Sequence, residues 1–299
     1  MSGAPARADA DRYGALLEPA RLWAHRRVDR LPPWLREFLI FGFKEAWACL
    51  FGGLMLAAIL ATKLFWQPDW ALARYDFLFL YAIGVQALFL ALRLERLDEA
   101  KVILIFHVVG TVMEIFKTHM GSWHYPEANF FRIGGVPLFS GFMYSCVGSY
   151  IARSTRIFDL RYARYPRLGW TFGLSALIYL NFFVHHFWID LRIPLFALTL
   201  VVFGRTWVQF TVDSTPRGMP LVVAFLLIAV FIWLAELVGT ASATWTYPGT
   251  RLVTLGKFGS WYLLMIISFV LVTLVHRPRP ATEGADPADA GLSGVKVAP

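Results

Sequence analysis

The chain has 299 residues, 58% of them hydrophobic and 16% charged, and its mean hydropathy is +0.55. Soluble domains run at about 45–50% apolar and about 25% charged residues, so this chain has too little polar surface for a soluble globule and too much apolar content for a disordered one. A net charge of +8, from 28 Lys and Arg against 20 Asp and Glu, fits the Lys/Arg surplus of cytoplasmic loops in a membrane protein better than a nucleic-acid surface.

In chain order, residues 1–37 form a basic N-terminal segment without the apolar core of a signal peptide. Within it, Leu16, Leu17, Ala20, Trp23, Ala24, Val28 and Leu31 recur at helical spacing among Arg21, Arg26, Arg27 and Arg30. That pattern predicts an amphipathic helix lying on the inner leaflet. Apolar runs follow at roughly 38–60, 77–93, 101–119, 136–152, 168–188, 192–212, 219–240 and 257–275, each near the length of about 20 residues that crosses a bilayer. The fifth ends in the polar cluster Asn181, His185, His186 and Asp190, and a short re-entrant element is the alternative there. Of the 28 Lys and Arg, 20 fall on one side of this arrangement and 7 on the other, which predicts eight spans with both termini cytoplasmic. The tail 276–299 is rich in Pro, Ala and Gly and is expected to be disordered. Cys49 and Cys146 lie inside apolar runs and read as packing residues.

One pattern occurs twice. Glu114 precedes Trp123-His-Tyr125-Pro126 as Glu236 precedes Trp245-Thr-Tyr247-Pro248, both E-x8-W-x-Y-P at an offset of 122. A second echo, G-x-x-Y, follows as Gly141–Tyr144 and Gly259–Tyr262. The expected fold is therefore an all-α integral membrane protein of about eight transmembrane helices. It is arranged as two parallel four-helix repeats, 38–152 and 168–275, joined by a cytoplasmic linker at 153–167.

Charged groups inside spans are costly and mark functional positions by default. Glu114 and Glu236 are candidate acids: two carboxylates in an apolar site do not both ionise cheaply. A structural alternative has each accept hydrogen bonds from its neighbouring loop. His107 and Thr111 share a helix face with Glu114 and make His107 a candidate to relay its proton. Asn181 and His185 are placed to join the same cavity. Trp123, Tyr125, Trp245 and Tyr247 are candidate substrate-binding aromatics, suited to stabilising a cation. His185 and His186 are adjacent on one helix and diverge, and no metal motif or phosphate loop is present, so neither a metal nor another cofactor is expected.

With E-x8-W-x-Y-P and Val136-Pro137-Leu138 in view, the sequence resembles the bacterial integral-membrane family called domain of unknown function DUF817, over about residues 35–275. That resemblance implies a multi-pass protein of the bacterial cytoplasmic membrane and no particular activity. The order of glutamate, Trp-x-Tyr and Pro-Leu also looks like the membrane carotenoid cyclases and hydratases, which protonate a double bond of an apolar polyene. The cyclases carry an acidic pair after their Pro-Leu position, where this chain has Phe139-Ser140-Gly141. The expected function is a membrane-embedded enzyme protonating an isoprenoid-like or other lipid-soluble small molecule. A proton-coupled secondary transporter and a non-catalytic membrane scaffold are the alternatives.

Overall fold

A computed structural model describes residues 31–213, 216–249 and 257–281. The amphipathic segment expected at 13–31 lies almost wholly outside the described residues, as does the tail beyond residue 281. Among the described residues the chain is mostly helical: α1 (Pro33–Ala48), α2 (Leu50–Phe65), α3 (Arg74–Ala91), α4 (Leu97–His119), α5 (Phe139–Ile157), α6 (Leu168–Val184), α7 (Arg192–Phe203), α8 (Leu221–Ala241) and α9 (Phe258–Val272). Short strands β1 (Arg132–Ile133) and β2 (Val136–Pro137) pair ahead of α5. Strands β3 (Arg161–Ala163), β4 (Trp207–Thr211) and β5 (Pro216–Pro220) form an antiparallel sheet in that order.

A helix occurs in each of the eight apolar runs, but a helix is not always a span. Among the described residues, α3 and α8 are long and apolar enough to cross a membrane. A third crossing is made if α1 and α2, bent by 68° at Cys49, count as one. α6, α7 and α9 are apolar but have 17, 12 and 15 residues, so at about 1.5 Å per residue each falls short of about 30 Å.

The run 192–212 departs most from its expected form. α7 stops at Phe203, and Trp207-Val-Gln-Phe-Thr211 is strand β4. Hydropathy sees one apolar run, whereas the β-branched and aromatic residues after Gly204 favour extended backbone. Prolines at both ends of β5 suit its position at the edge of the sheet. The segment 153–167 likewise contains the end of α5 and strand β3. The tail is ordered further than expected: Tyr162 N–H donates to the Arg279 carbonyl at 2.8 Å, and Ala281 N–H donates to the Tyr162 carbonyl at 3.0 Å. The start of α1 reaches the same sheet through Arg36–Asp213 at 2.7 Å and Glu37–Arg217 at 2.6 Å.

Two apolar helices show where the core lies. Residues Leu263–Val270 of α9 are all buried, because α9 is packed by α4, α5, α6, α7 and α8. α8 is also apolar all round, yet Val223, Leu226, Leu227, Val230, Phe231 and Leu234 are exposed. Side chains of that type along a helix face are stable against lipid rather than water, and the protein is accordingly a membrane protein. α4 and α5 approach closely because Gly141 and Gly148 lack a Cβ; one at Gly148 would meet the Phe106 ring at 2.7 Å.

At the N-terminal end of α4 the core holds an ion pair. Glu95 and Arg153 are fully buried with Nε–Oε1 at 3.7 Å, and Gln86 and Ser149 also hydrogen-bond the carboxylate. Arg153 donates to the Trp47 carbonyl at 3.2 Å and stacks on Phe89.

Candidate functional site

The C-terminal ends of α4 and α8 are built alike. Each closes in a Schellman motif: Ser122 N–H bonds Lys117 C=O and Gly121 N–H bonds Thr118 C=O, as Thr244 bonds Gly239 and Ala243 bonds Thr240. Gly121 and Ala243 take the left-handed conformation, with φ of 68° and 52°. This turn sends the chain back along its own helix in an extended stretch, where alternate side chains share a face. Trp and Tyr of W-x-Y therefore point together at the helix, and the residue between them points away.

The helix meets them with a carboxylate. Trp123 Nε1 and Tyr125 OH donate to Glu114 Oε2 at 2.7 and 2.8 Å, while Trp245 Nε1 and Tyr247 OH donate to Glu236 Oε1 at 2.7 and 2.8 Å. Buried carboxylates require such donors. Tyr144 of α5 adds a third bond, to Glu114 Oε1 at 2.8 Å. Burial, and then the adjoining carboxylate, push the Tyr125 and Tyr247 hydroxyls above the usual phenol range, so both remain protonated donors.

The two loops join at the residues that point away. His124 and Thr246 form an antiparallel bridge, N–H to C=O at 3.1 and 3.0 Å, with Thr246 Oγ1 2.8 Å from His124 Nε2. Trp123 packs edge-on against Tyr247, with ring centroids 5.9 Å apart.

The clusters differ at one helical position. Three residues after Glu236, Gly239 lets the Trp245 indole lie directly on α8, where a Cβ would overlap the ring. Three residues after Glu114 the equivalent position is Lys117, not glycine. Beside Lys117 a cavity of about 230 Å³ opens between α4, α5, α6 and α9, and Trp123 and Tyr247 are among its lining residues.

Several expected residues line this cavity: Trp123, Tyr247, Asn181 and His185. Glu114 and Glu236 lie behind Tyr144 and Tyr247, each reached through a tyrosine hydroxyl. Tyr125 and Trp245 are buried in the loop core. His107 and Thr111 are not among the lining residues; they pack where α4 meets Gly141, and Thr111 Oγ1 is bonded to the His107 carbonyl at 2.6 Å. Asn181 Oδ1 accepts from Leu191 N–H at 2.9 Å and its carbonyl accepts from His185 Nδ1 at 2.7 Å, which shapes the turn after α6. Among the described residues no group of three His, Cys, Asp or Glu is gathered to hold a metal ion.

A family described as "Protein of unknown function (DUF817)" matches residues 37–269. The chain belongs to this family. The DUF817 protein described here is 42% identical over 249 residues to "Uncharacterized protein YoaT" of Bacillus subtilis (strain 168), covering 82% of this chain and 94% of that one. Among solved structures it is similar to a mycobacterial Insig homolog, MvINS from Mycobacterium vanbaalenii, with a TM-score of 0.45 at 15% identity over 62% of this chain and 98% of that one. A cross-linked trimer of MvINS gives a TM-score of 0.42 at 14% identity over 63% of this chain and 98% of that one.

Four titratable cavity residues of this DUF817 protein were missed in the sequence: Lys117, Tyr144, Arg192 and Lys257. Two had a signal. Tyr144 closes the first G-x-x-Y echo, and Lys117 follows Glu114 by three residues, on the same helix face.

Proposed function

We propose that this membrane protein takes a lipid-soluble small molecule into the cavity beside the paired loops. The observation that carries the reading is that the cavity is lined by Tyr144 and Tyr247, whose hydroxyls are bonded to Glu114 and Glu236. Met113, Phe182 and Leu264 add apolar lining, a combination typical of small-molecule sites. In this reading the chain is a multi-pass protein of the bacterial cytoplasmic membrane with both termini inside. Its halves descend from one duplicated four-helix unit, α4 and α5 corresponding to α8 and α9. Matching hydrogen bonds from Trp and Tyr to glutamate, at the same spacing, support the duplication.

Acid–base chemistry is a second reading, favoured by the two Tyr–Glu pairs. With the carboxyl protonated the bond reverses: Glu114 donates to the Tyr144 oxygen, and Tyr144 passes its own proton to a bound double bond or oxygen. Glu236 and Tyr247 form the same relay. Tyrosine then stands where the sequence suggested direct contact between glutamate and substrate, and His107 serves the packing of α4 on α5.

The test is the lipid extract of the purified chain and of cells carrying it. A lipid-soluble compound that co-purifies with the native chain, and is lost when Leu264→Trp fills the cavity, supports binding. Purified protein with no such compound, and none that stabilises it, refutes binding. Accumulation of a precursor in Tyr144→Phe cells supports catalysis; a lipid pool identical to that of wild-type cells refutes it.

A further inference from the structure

The cavity is lined by cations from three separate elements: Lys117 of α4, Arg192 at the start of α7, and Lys257 just before α9. Among the described residues no carboxylate lines it. Lys117 is buried, and its Nζ contacts two imidazoles, His186 Nε2 at 3.0 Å and His185 Nε2 at 3.5 Å, and the Phe182 ring. His185 Nδ1 donates to the Asn181 carbonyl, which leaves Nε2 as the ring atom facing Lys117. Lys257 Nζ sits over the Tyr247 ring, 3.0 Å from its centroid. Neither lysine forms an ion pair among the described residues. Arg192 is bonded to Asp190 at 2.6 Å and to Ser260 Oγ at 3.2 Å. Glu114 and Glu236 are the other acids nearby, and both are engaged by the loop aromatics.

With Asp190 set against Arg192, the charges of Lys117 and Lys257 remain in a wall that joins apolar Met113, Trp123, Phe182, Trp261 and Leu264 to neutral polar side chains such as Tyr144, Asn181 and Ser260. Lys117 feels Asp190 and Lys257 feels Glu236 only at longer range, and two largely buried ammonium groups without a directly bonded counter-ion are costly. An anion between them offsets that cost, and a phosphate monoester, with about −1.5 to −2 charges and three acceptor oxygens, matches both the charge and the donor count. The duplicated half supplies an internal comparison. Where the cation is replaced by Gly239, the indole of Trp245 fills the space, so cation and cavity occur together. We infer that the cavity recognises a phosphate group, held by Lys117 and Lys257 with Arg192 and Ser260 at its margin, and that the apolar wall receives the chain the phosphate is attached to.

This assignment rests on the small-molecule reading above and names its ligand class. Native mass spectrometry of the full chain in neutral detergent tests it, with hexadecyl phosphate, hexadecanol and inorganic phosphate as probes. Hexadecyl phosphate is expected to give one saturable adduct, weakened about tenfold or more by Lys117→Gln or Lys257→Gln and restored in part by Lys117→Arg. Hexadecanol is expected to bind at least about tenfold more weakly for want of the charge. Inorganic phosphate binding as tightly as hexadecyl phosphate supports the phosphate site and assigns it a water-soluble ester. Equal binding of hexadecanol and hexadecyl phosphate, unaffected by Lys257→Gln, overturns the phosphate assignment and leaves the small-molecule reading standing. No adduct with any probe overturns both. Circular dichroism identifies a variant that fails to fold, and Lys257→Gln, on the partly exposed side, carries the test if Lys117→Gln does.

Discussion

His124 and Thr246 exchange both backbone hydrogen bonds although 122 residues separate them. Neither loop has another strand to pair with in this stretch among the described residues, so each completes the backbone hydrogen bonding of the other. The carboxylate clusters behind them are thereby joined through one bridge.

The two glutamates are expected to respond differently to the same substitution. Glu236 uses Oε1 for both Trp245 and Tyr247, so a Gln amide oxygen retains both bonds and Glu236→Gln costs below about 1 kcal/mol. Glu114 uses Oε2 for Trp123 and Tyr125 and Oε1 for Tyr144, and an amide nitrogen does not accept. Glu114→Gln should cost about 1–3 kcal/mol, visible as the larger drop in thermal midpoint in detergent. Equal drops would contradict this.

The paired helix ends give a prediction of opposite sign. Ala243 holds φ at 52° where the first loop has Gly121. Left-handed backbone costs a residue with a Cβ about 1 kcal/mol, so Ala243→Gly should raise the unfolding midpoint and Gly121→Ala should lower it by a similar amount. A loss of stability in Ala243→Gly would show that the Ala methyl packs usefully.

Gly239→Ala places a methyl inside the Trp245 ring. The indole must leave α8 and give up its bond to Glu236, a loss of about 2–4 kcal/mol. Trp245→Phe is expected to cost less in the Gly239→Ala background than in the native one, since the clash is partly relieved. A double-mutant cycle with no coupling between the two sites would refute the contact.

The buried Glu95–Arg153 pair makes removal of one partner the severe change. Arg153→Met leaves an uncompensated carboxylate and should cost about 3–5 kcal/mol, whereas Arg153→Met with Glu95→Gln should recover a substantial part. Denaturation of both variants distinguishes this from simple loss of packing, which predicts no recovery.

Much of the loop geometry was legible because W-x-Y on extended backbone leaves one direction for both side chains and E-x8-W places the carboxylate where they arrive. Span count was less legible. Residues 192–212 have the hydropathy of one helix and the chemistry of a short helix followed by a strand, and hydropathy does not register that change at Gly204. Lys117 reads as an ordinary cation at a helix C-terminus. Its meaning depends on Trp245 lying over Gly239 in the other half, a packing fact absent from either local sequence. Glu95 and Arg153 sit near the two ends of different helices with no periodicity linking them, and only folding puts them in contact.

The small sheet also constrains how the chain is threaded. The start of α1 is tied to it through Arg36 and Glu37, β3 and the β4–β5 hairpin compose it, and Arg279 to Ala281 end on Tyr162. Four points along the chain are thus gathered at one place, and one place lies on one side of a bilayer. This predicts an even number of crossings, or none, between residue 37 and β3, between β3 and β4, and between β5 and residue 279, so a crossing by α8 requires a return by the shorter α9. A label at any one of these points therefore reports the side for all four.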